Sequence, residues 1–133
     1  VVTSLNEEFT FTIHAYSCHY YNWSPLRKKA TAENKASAVR WVSSLFPMGG
    51  TGTGDAVAIA LQDRENKTIV LLTDGAPGCG GYGEIIDSHL EKIVSANTQK
   101  AKINCFGIGA YGCFEQFLRD VASSSGGLYY PIN

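Results

Sequence analysis

The sequence predicts an α/β domain built on a mainly parallel sheet with helices on both faces. Two observations carry this. Thr68 to Leu72 holds four apolar residues in a row, Ile69 to Leu72, and stops at Thr73-Asp74-Gly75, the pattern of a strand buried on both faces. Strand and helix periods then alternate through the second half, which implies right-handed crossovers and parallel pairing. The 133 residues, 44% apolar, can enclose a single core of ordinary size, so residues 1–133 are read as one domain.

In chain order, Phe9, Phe11, Ile13 and Ala15 alternate with Thr10, Thr12, His14 and Tyr16, a strand period, and Tyr20 to Trp23 returns as a short antiparallel edge. From Thr31 the period becomes helical. Ala38, Val39, Val42, Leu45 and Phe46 share one face, and Pro47 prevents continuation. After the loop Gly49-Gly50-Thr51-Gly52-Thr53-Gly54-Asp55, residues 55–61 form a short helix with Thr53 as its cap and Asp55 in its first turn. The strand Thr68 to Leu72 follows. Ile86, Leu90, Ile93 and Val94 mark a helix from about Glu84 to Ala96, entered through the Gly-rich loop Gly75 to Gly83. Ile103 to Ile108 is a strand. Phe114, Phe117, Leu118, Val121 and Ala122 recur at helical spacing until Gly126-Gly127, and Leu128 to Ile132 closes as a strand.

A net charge of -1 with 17% charged residues gives no electrostatic footprint for nucleic acid or a membrane surface. The one basic cluster, Arg27-Lys28-Lys29, reads as a solvated loop. No apolar stretch approaches the roughly 20 residues that cross a bilayer, and no charged-then-apolar leader opens the chain. Val1 in place of Met suggests a processed product or a piece of a longer protein. Cys18, Cys79, Cys105 and Cys113 lack the close pairing of a zinc site. Cys105 reads as a small buried hydrophobe. Cys18, Cys79 and Cys113 fall in loops at one sheet edge, where a bridge between two of them is geometrically allowed. His14, His19 and His89 are scattered and assemble no nucleophilic set. Tyr16, Tyr20, Tyr21 and Trp23 form an aromatic cluster that serves either a binding patch or edge packing. Asn66-Lys67-Thr68 fits a glycan acceptor in a secreted eukaryotic context, whereas Asn22-Trp23-Ser24 is weakened by Pro25.

Ligands of open α/β sheets bind beyond the carboxyl ends of the strands. Asp74 lies at such an end, and Thr51 in the glycine loop reaches the same edge. Each has an ordinary alternative: Thr51 as a helix cap, Asp74 as half of an Asp-Gly turn. Asp55 reads as a first-turn acid. Gly107-Ile108-Gly109-Ala110-Tyr111-Gly112 matches the dinucleotide fingerprint between a strand and a helix. The strand after it ends at Ile132-Asn133 with no acid for a ribose, which favours a tight turn instead. The other glycine loop lacks the Lys-Ser/Thr pair of a P-loop.

Four motifs together, Gly49-Gly50-Thr51 after a helix, the strand ending in Thr73-Asp74-Gly75, Phe106-Gly107-Ile108-Gly109, and Gly126-Gly127-Leu128-Tyr129, resemble the von Willebrand factor type A family from about Phe9 to Tyr130. The resemblance implies a three-layer, Rossmann-like fold and a metal-ion-dependent adhesion site. In that site a Thr of the glycine loop and an Asp after the central strand help hold a divalent cation, and the matching positions here are Thr51 and Asp74. The family's first strand, its Asp-x-Ser-x-Ser loop and the helix after it have no counterpart, so the domain reads as N-terminally incomplete. That strand is central in the family's sheet. Its place would be taken by an upstream segment, by a strand donated from another chain, or by closure of the sheet without it.

Mg²⁺ takes about six oxygens in near-octahedral geometry. One Thr and one Asp are too few for tight binding, so the chain alone holds a divalent cation, Mg²⁺ foremost, weakly or not at all. The resemblance implies a non-enzymatic protein-interaction or adhesion module whose protein partner offers an acidic side chain to the metal. It also leaves room for a strand-exchanged homodimer. Two alternatives stand beside it: a small nucleotide-dependent enzyme using Gly107 to Gly112, and a structural domain with a vestigial metal site.

Overall fold

A computed structural model describes residues 1–74, 76–78 and 86–133. They fall into two compact units, Val1–Gly49 and Gly50–Asn133. The first opens with one 3-10 turn, Val2–Ser4, and then carries β1 (Thr10–Phe11), β2 (His14–Tyr16), β3 (Tyr20–Asn22), β4 (Lys28–Lys29) and α1 (Ala32–Ser43). The expected strand over residues 9–15 is therefore split. β2 pairs antiparallel with β3, His14 opposite Asn22, and the ladder runs on through Trp23 N–H to the Ile13 carbonyl at 2.9 Å. β1 pairs with β4 in a register displaced by three residues, Thr10 opposite Lys29. The displacement is the excursion Pro25-Leu26-Arg27. Pro25 has no N–H to give to a ladder, and the turn is held instead by the Ser24 hydroxyl donating to the Leu26 carbonyl at 2.6 Å.

The basic cluster is correspondingly not a loop. Lys28 and Lys29 form β4, both exposed, with Lys28 Nζ lying 5.2 Å from the Trp23 ring centroid. The small core of this unit is Phe11, Ala30 and Ala38, with Val2, Leu5, Ile13 and Trp23 packed against it. Trp23 stacks on Phe11 at 5.1 Å, so the aromatic cluster divides: Trp23 packs inward while Tyr21 is exposed. Thr31 caps α1, its hydroxyl accepting from Asn34 N–H at 3.2 Å. The helix ends earlier than Pro47 requires. The Ser43 and Ser44 hydroxyls donate to the Val39 and Trp41 carbonyls, the backbone competition that closes helices. Leu45 and Phe46 thus lie beyond it, and of the expected apolar face only Ala38 is buried, whereas Val39, Val42, Leu45 and Phe46 are exposed.

The second unit contains α2 (Thr53–Ala60), β5 (Thr68–Thr73), α3 (Ile86–Ala96), β6 (Lys102–Ile108), α4 (Gly112–Ser125) and β7 (Tyr129–Ile132). Its sheet is wholly parallel in the order β5-β6-β7, with Leu71 opposite Cys105 and Cys105 opposite Tyr129. α4 packs on β6 and β7, and α3 packs on α2 and α4. The core is Leu61, Leu71, Ile93, Ile103, Cys105, Phe117, Leu118 and Val121, all buried. Burying each of the larger aliphatic side chains contributes about 1.5–3 kcal/mol. β5 is not buried on both faces as its composition predicts. Leu71 and Thr73 face inward, whereas Val70 and Leu72, which alternate with them onto the opposite face, are 45% and 55% exposed; β5 also stands at the sheet's edge, with no partner strand on its outer side among the described residues. Among those residues no helix is long and apolar enough to cross a membrane.

Two glycines make the packing possible. A Cβ on Gly127 would stand 2.0 Å from the Ile103 carbonyl oxygen, and one on Gly54 would stand 2.8 Å from His89 Nδ1 and 3.0 Å from His89 Cα. Gly127→Ala is expected to lower the unfolding free energy by roughly 1–3 kcal/mol through overpacking against rigid backbone. Gly109→Ala, at φ +60° in open space, is expected to lose only about 1 kcal/mol to left-handed strain. Urea titration followed by circular dichroism checks the ranking.

In the first unit His14 Nδ1 is hydrogen-bonded to the Tyr20 hydroxyl. Burial lowers the His14 pKa from its ordinary 6.5. The folded chain therefore binds this proton less readily than the unfolded chain. The stability it contributes is present above 6.5 and is lost as pH falls from there through the lowered folded-state value. The urea midpoint should be lower near pH 5 than near pH 8, and His14→Gln should narrow the difference.

Candidate metal and partner edge

The parallel sheet brings the ends of β5 and β6 and the loop before α2 to one edge. Thr51, half-buried, lies two residues before α2, and Asp74, exposed, follows β5 directly. The two segments are joined by backbone. Gly78 N–H, four residues past Asp74, donates to the Thr51 carbonyl at 2.8 Å, with Pro77 buried beside it. Gly75 and residues 79–85, which include Cys79, Glu84 and most of the glycine-rich entry to α3, lie outside the described residues.

The ordinary role for Thr51 is not realised. The N-cap of α2 is Gly52, and no side chain caps that helix. Thr53, expected as the cap, is instead the first helical residue and fully buried. The glycine at the cap position costs little because Gly is tolerated there, and the helix start is anchored from outside: Gly54 N–H donates to His89 Nδ1 at 3.0 Å. As an acceptor, Nδ1 carries no proton, so buried His89 is held in its Nε2–H form. This histidine, placed on α3 by the sequence without a role, is what the glycine at position 54 admits. Only a residue without Cβ lets α3 approach so closely, and the signal in the sequence is the glycine rather than the histidine. Asp55 sits in the first turn of α2, exposed, and pairs with Lys92 Nζ at 3.3 Å.

The two residues expected to meet a divalent cation, Thr51 and Asp74, thus lie on segments joined by one backbone bond. Asp55 is engaged by Lys92, and among the described residues no three His, Cys, Asp or Glu side chains converge on a common point. Two oxygens do not fill an octahedral shell. The described residues at this edge do not by themselves make up such a shell.

At the end of β6, Gly107 Cβ would collide at 2.9 Å with Ala110 Cβ, Leu118 Cδ1 and the Tyr129 hydroxyl, while Gly109 and Gly112 have φ of +60° and +59°. The glycines of the dinucleotide-like motif therefore serve close helix–strand packing and the turn into α4. Of the cysteines, Cys18 is in a disulfide, and Cys105 and Cys113 are free. Cys113 is the second residue of α4 rather than a loop residue, and is exposed. Burial raises the Cys105 thiol to about 12.

A wholly parallel three-stranded sheet packed by helices defines an α/β domain of the Rossmann-like class. The chain belongs to the von Willebrand factor type A domain family, whose profile matches residues 1–131. It is 28% identical to human inter-alpha-trypsin inhibitor heavy chain H4 over all of this chain and 15% of that one. It is 26% identical to the Bos taurus protein of the same name over 96% of this chain and 15% of that one. The chain thus spans about one-seventh of the length of these relatives. By structure it is similar to a von Willebrand factor type A protein from Catenulispora acidiphila (TM-score 0.83, 21% identity, 99% of this chain and 32% of that one). It is also similar to the conserved hypothetical protein BatB from Bacteroides thetaiotaomicron (TM-score 0.71, 16% identity, 99% of this chain and 74% of that one).

Thiol labelling of the native protein should modify Cys113 and spare Cys105 until denaturant is added, because only the thiolate reacts and the buried thiol does not form it at neutral pH. Peptide mapping by mass spectrometry reads both sites. Labelling of native Cys105 would contradict the packing of β6.

Proposed function

We propose that this domain is a non-enzymatic interaction module that binds a protein partner at the edge formed by Thr51, Asp74 and their loops. Domains of the family typically mediate protein interactions and often hold a divalent cation at an adhesion site. The observation that carries the reading here is the 2.8 Å bond from Gly78 N–H to the Thr51 carbonyl, which ties the glycine loop to the segment after Asp74. Two further findings support it: α2 makes no use of Thr51 as a cap, and Lys92 draws Asp55 away.

The cation, Mg²⁺ or Mn²⁺, would be held by the Thr51 hydroxyl and the Asp74 carboxylate, with water and outside oxygens completing its shell. A carboxylate from the partner is the natural supplement, since it adds both an oxygen and a compensating charge. The outer edge of β5 is where a further strand would extend the sheet in parallel, as the resemblance requires for the strand that brings the remaining metal ligands. The glycines at 107, 109 and 112 answer to packing and turn geometry, which disfavours the nucleotide-dependent enzyme.

Isothermal calorimetry of the chain with Mg²⁺ and with Mn²⁺ should show binding at about 1 mM or weaker, and Asp74→Ala should remove it. Tight binding by the chain alone would overturn the partial-shell reading. Stabilisation against heat by NAD or ATP but not by the cations would overturn the module in favour of the enzyme.

A further inference from the structure

We propose that Asn66 is an acceptor for an N-linked oligosaccharide, and that Asn22, which has the same short motif, is not. Asn66-Lys67-Thr68 is an Asn-x-Thr triplet without proline, in the connection between α2 and β5. The backbone around it is firmly held. Glu65 N–H bonds Asp63 Oδ1 at 3.1 Å, Asn66 N–H bonds the Asp63 carbonyl at 3.0 Å, and Lys102 N–H bonds the Lys67 carbonyl at 2.9 Å. The side chains are not held. Among the described residues no hydrogen bond engages the Asn66 amide or the Thr68 hydroxyl, Asn66 is partly exposed, and Lys67 and Thr68 are exposed. The neighbouring Arg64 turns away to the Ala96 carbonyl and Thr98.

Asn22-Trp23-Ser24 differs at each of these points. Pro25 follows it, Trp23 is stacked on Phe11, and Ser24 is only 5% exposed with its hydroxyl given to the Leu26 carbonyl. The independent second observation is the disulfide at Cys18. Disulfides persist in oxidising compartments, the same ones in which eukaryotic cells attach oligosaccharides to asparagine.

The transfer is redox-neutral. Asn66 Nδ2 attacks C1 of the first sugar of a polyprenyl-diphosphate-linked oligosaccharide. The C1–O bond to the diphosphate breaks, the polyprenyl diphosphate leaves with the bonding pair, and the amide proton passes to a base of the transferase. The glycan would stand at the amino end of β5, whereas Asp74 follows its carboxyl end. Six residues at about 3.3 Å each place them roughly 20 Å apart, so the sugar and a ligand at the Thr51–Asp74 edge can be accommodated together.

The test is secretion of the full protein from a eukaryotic cell line, then peptide N-glycosidase treatment in heavy-oxygen water and peptide mapping. Aspartate carrying heavy oxygen is expected at position 66 and not at position 22. Asn66→Gln and Thr68→Ala should each abolish the mark, and Thr68→Ser should retain it. Secreted wild-type protein unmodified at Asn66, or modified at Asn22 instead, would overturn the proposal.

Discussion

The parallel pairing of β5 with β6 is the constraint on which the rest of the second unit depends. It runs from Thr68 opposite Lys102 to Thr73 opposite Gly107 without a break. That register sends Leu71, Ile103 and Cys105 into one core beneath α4. It also delivers Asp74 to the sheet's edge. Because a one-residue slip would turn each side chain to the opposite face, the same ladder that buries the core determines where the carboxylate emerges. The glycine loop then meets that edge through the backbone bond from Gly78 to Thr51. The candidate site is in this sense a consequence of sheet register and one loop contact.

Close approach is the second theme. Gly54 lets α3 lie against the start of α2, Gly127 lets the chain after α4 pass the Ile103 carbonyl, and Gly107 leaves room for Leu118 and Tyr129. In each case the glycine matters for what it omits. The motif that imitates a dinucleotide fingerprint belongs to this set, which shows why such a pattern needs its structural context before it carries chemical meaning.

The sequence made the second unit legible and the first only partly so. β5, β6, β7, α3 and α4 follow from long apolar periods with clear glycine stops, and the observed bounds lie within one or two residues wherever the chain is described. The first unit is built from strands of two and three residues, too short for a period to register. Their register depends on Pro25, whose effect is to expel three residues from a ladder rather than to end it. α1 ends at Ser43 and Ser44, whose hydroxyls bond back to the Val39 and Trp41 carbonyls, before the proline at 47 is reached. At the site, Thr51 and Asp74 could be named from their positions at a strand end and in a glycine loop. Gly52 as the α2 cap, the Asp55–Lys92 pair and the His89–Gly54 contact could not, because each joins residues distant in sequence or depends on a backbone angle. The exposed Val70 and Leu72 mark the opposite kind of mismatch, a strand whose composition suits burial on both faces while the structure buries one.

The central claim, that Thr51 and Asp74 share one oxygen-lined edge, is tested most directly by Mn²⁺ titration of the isotope-labelled protein watched by nuclear magnetic resonance. The paramagnetic ion broadens only nearby resonances. The account predicts that the signals of Thr51 and Asp74 fade together and first, and that Asp74→Ala protects the Thr51 signal. Broadening centred on Asp55 or elsewhere, or at one of the two residues without the other, would contradict it.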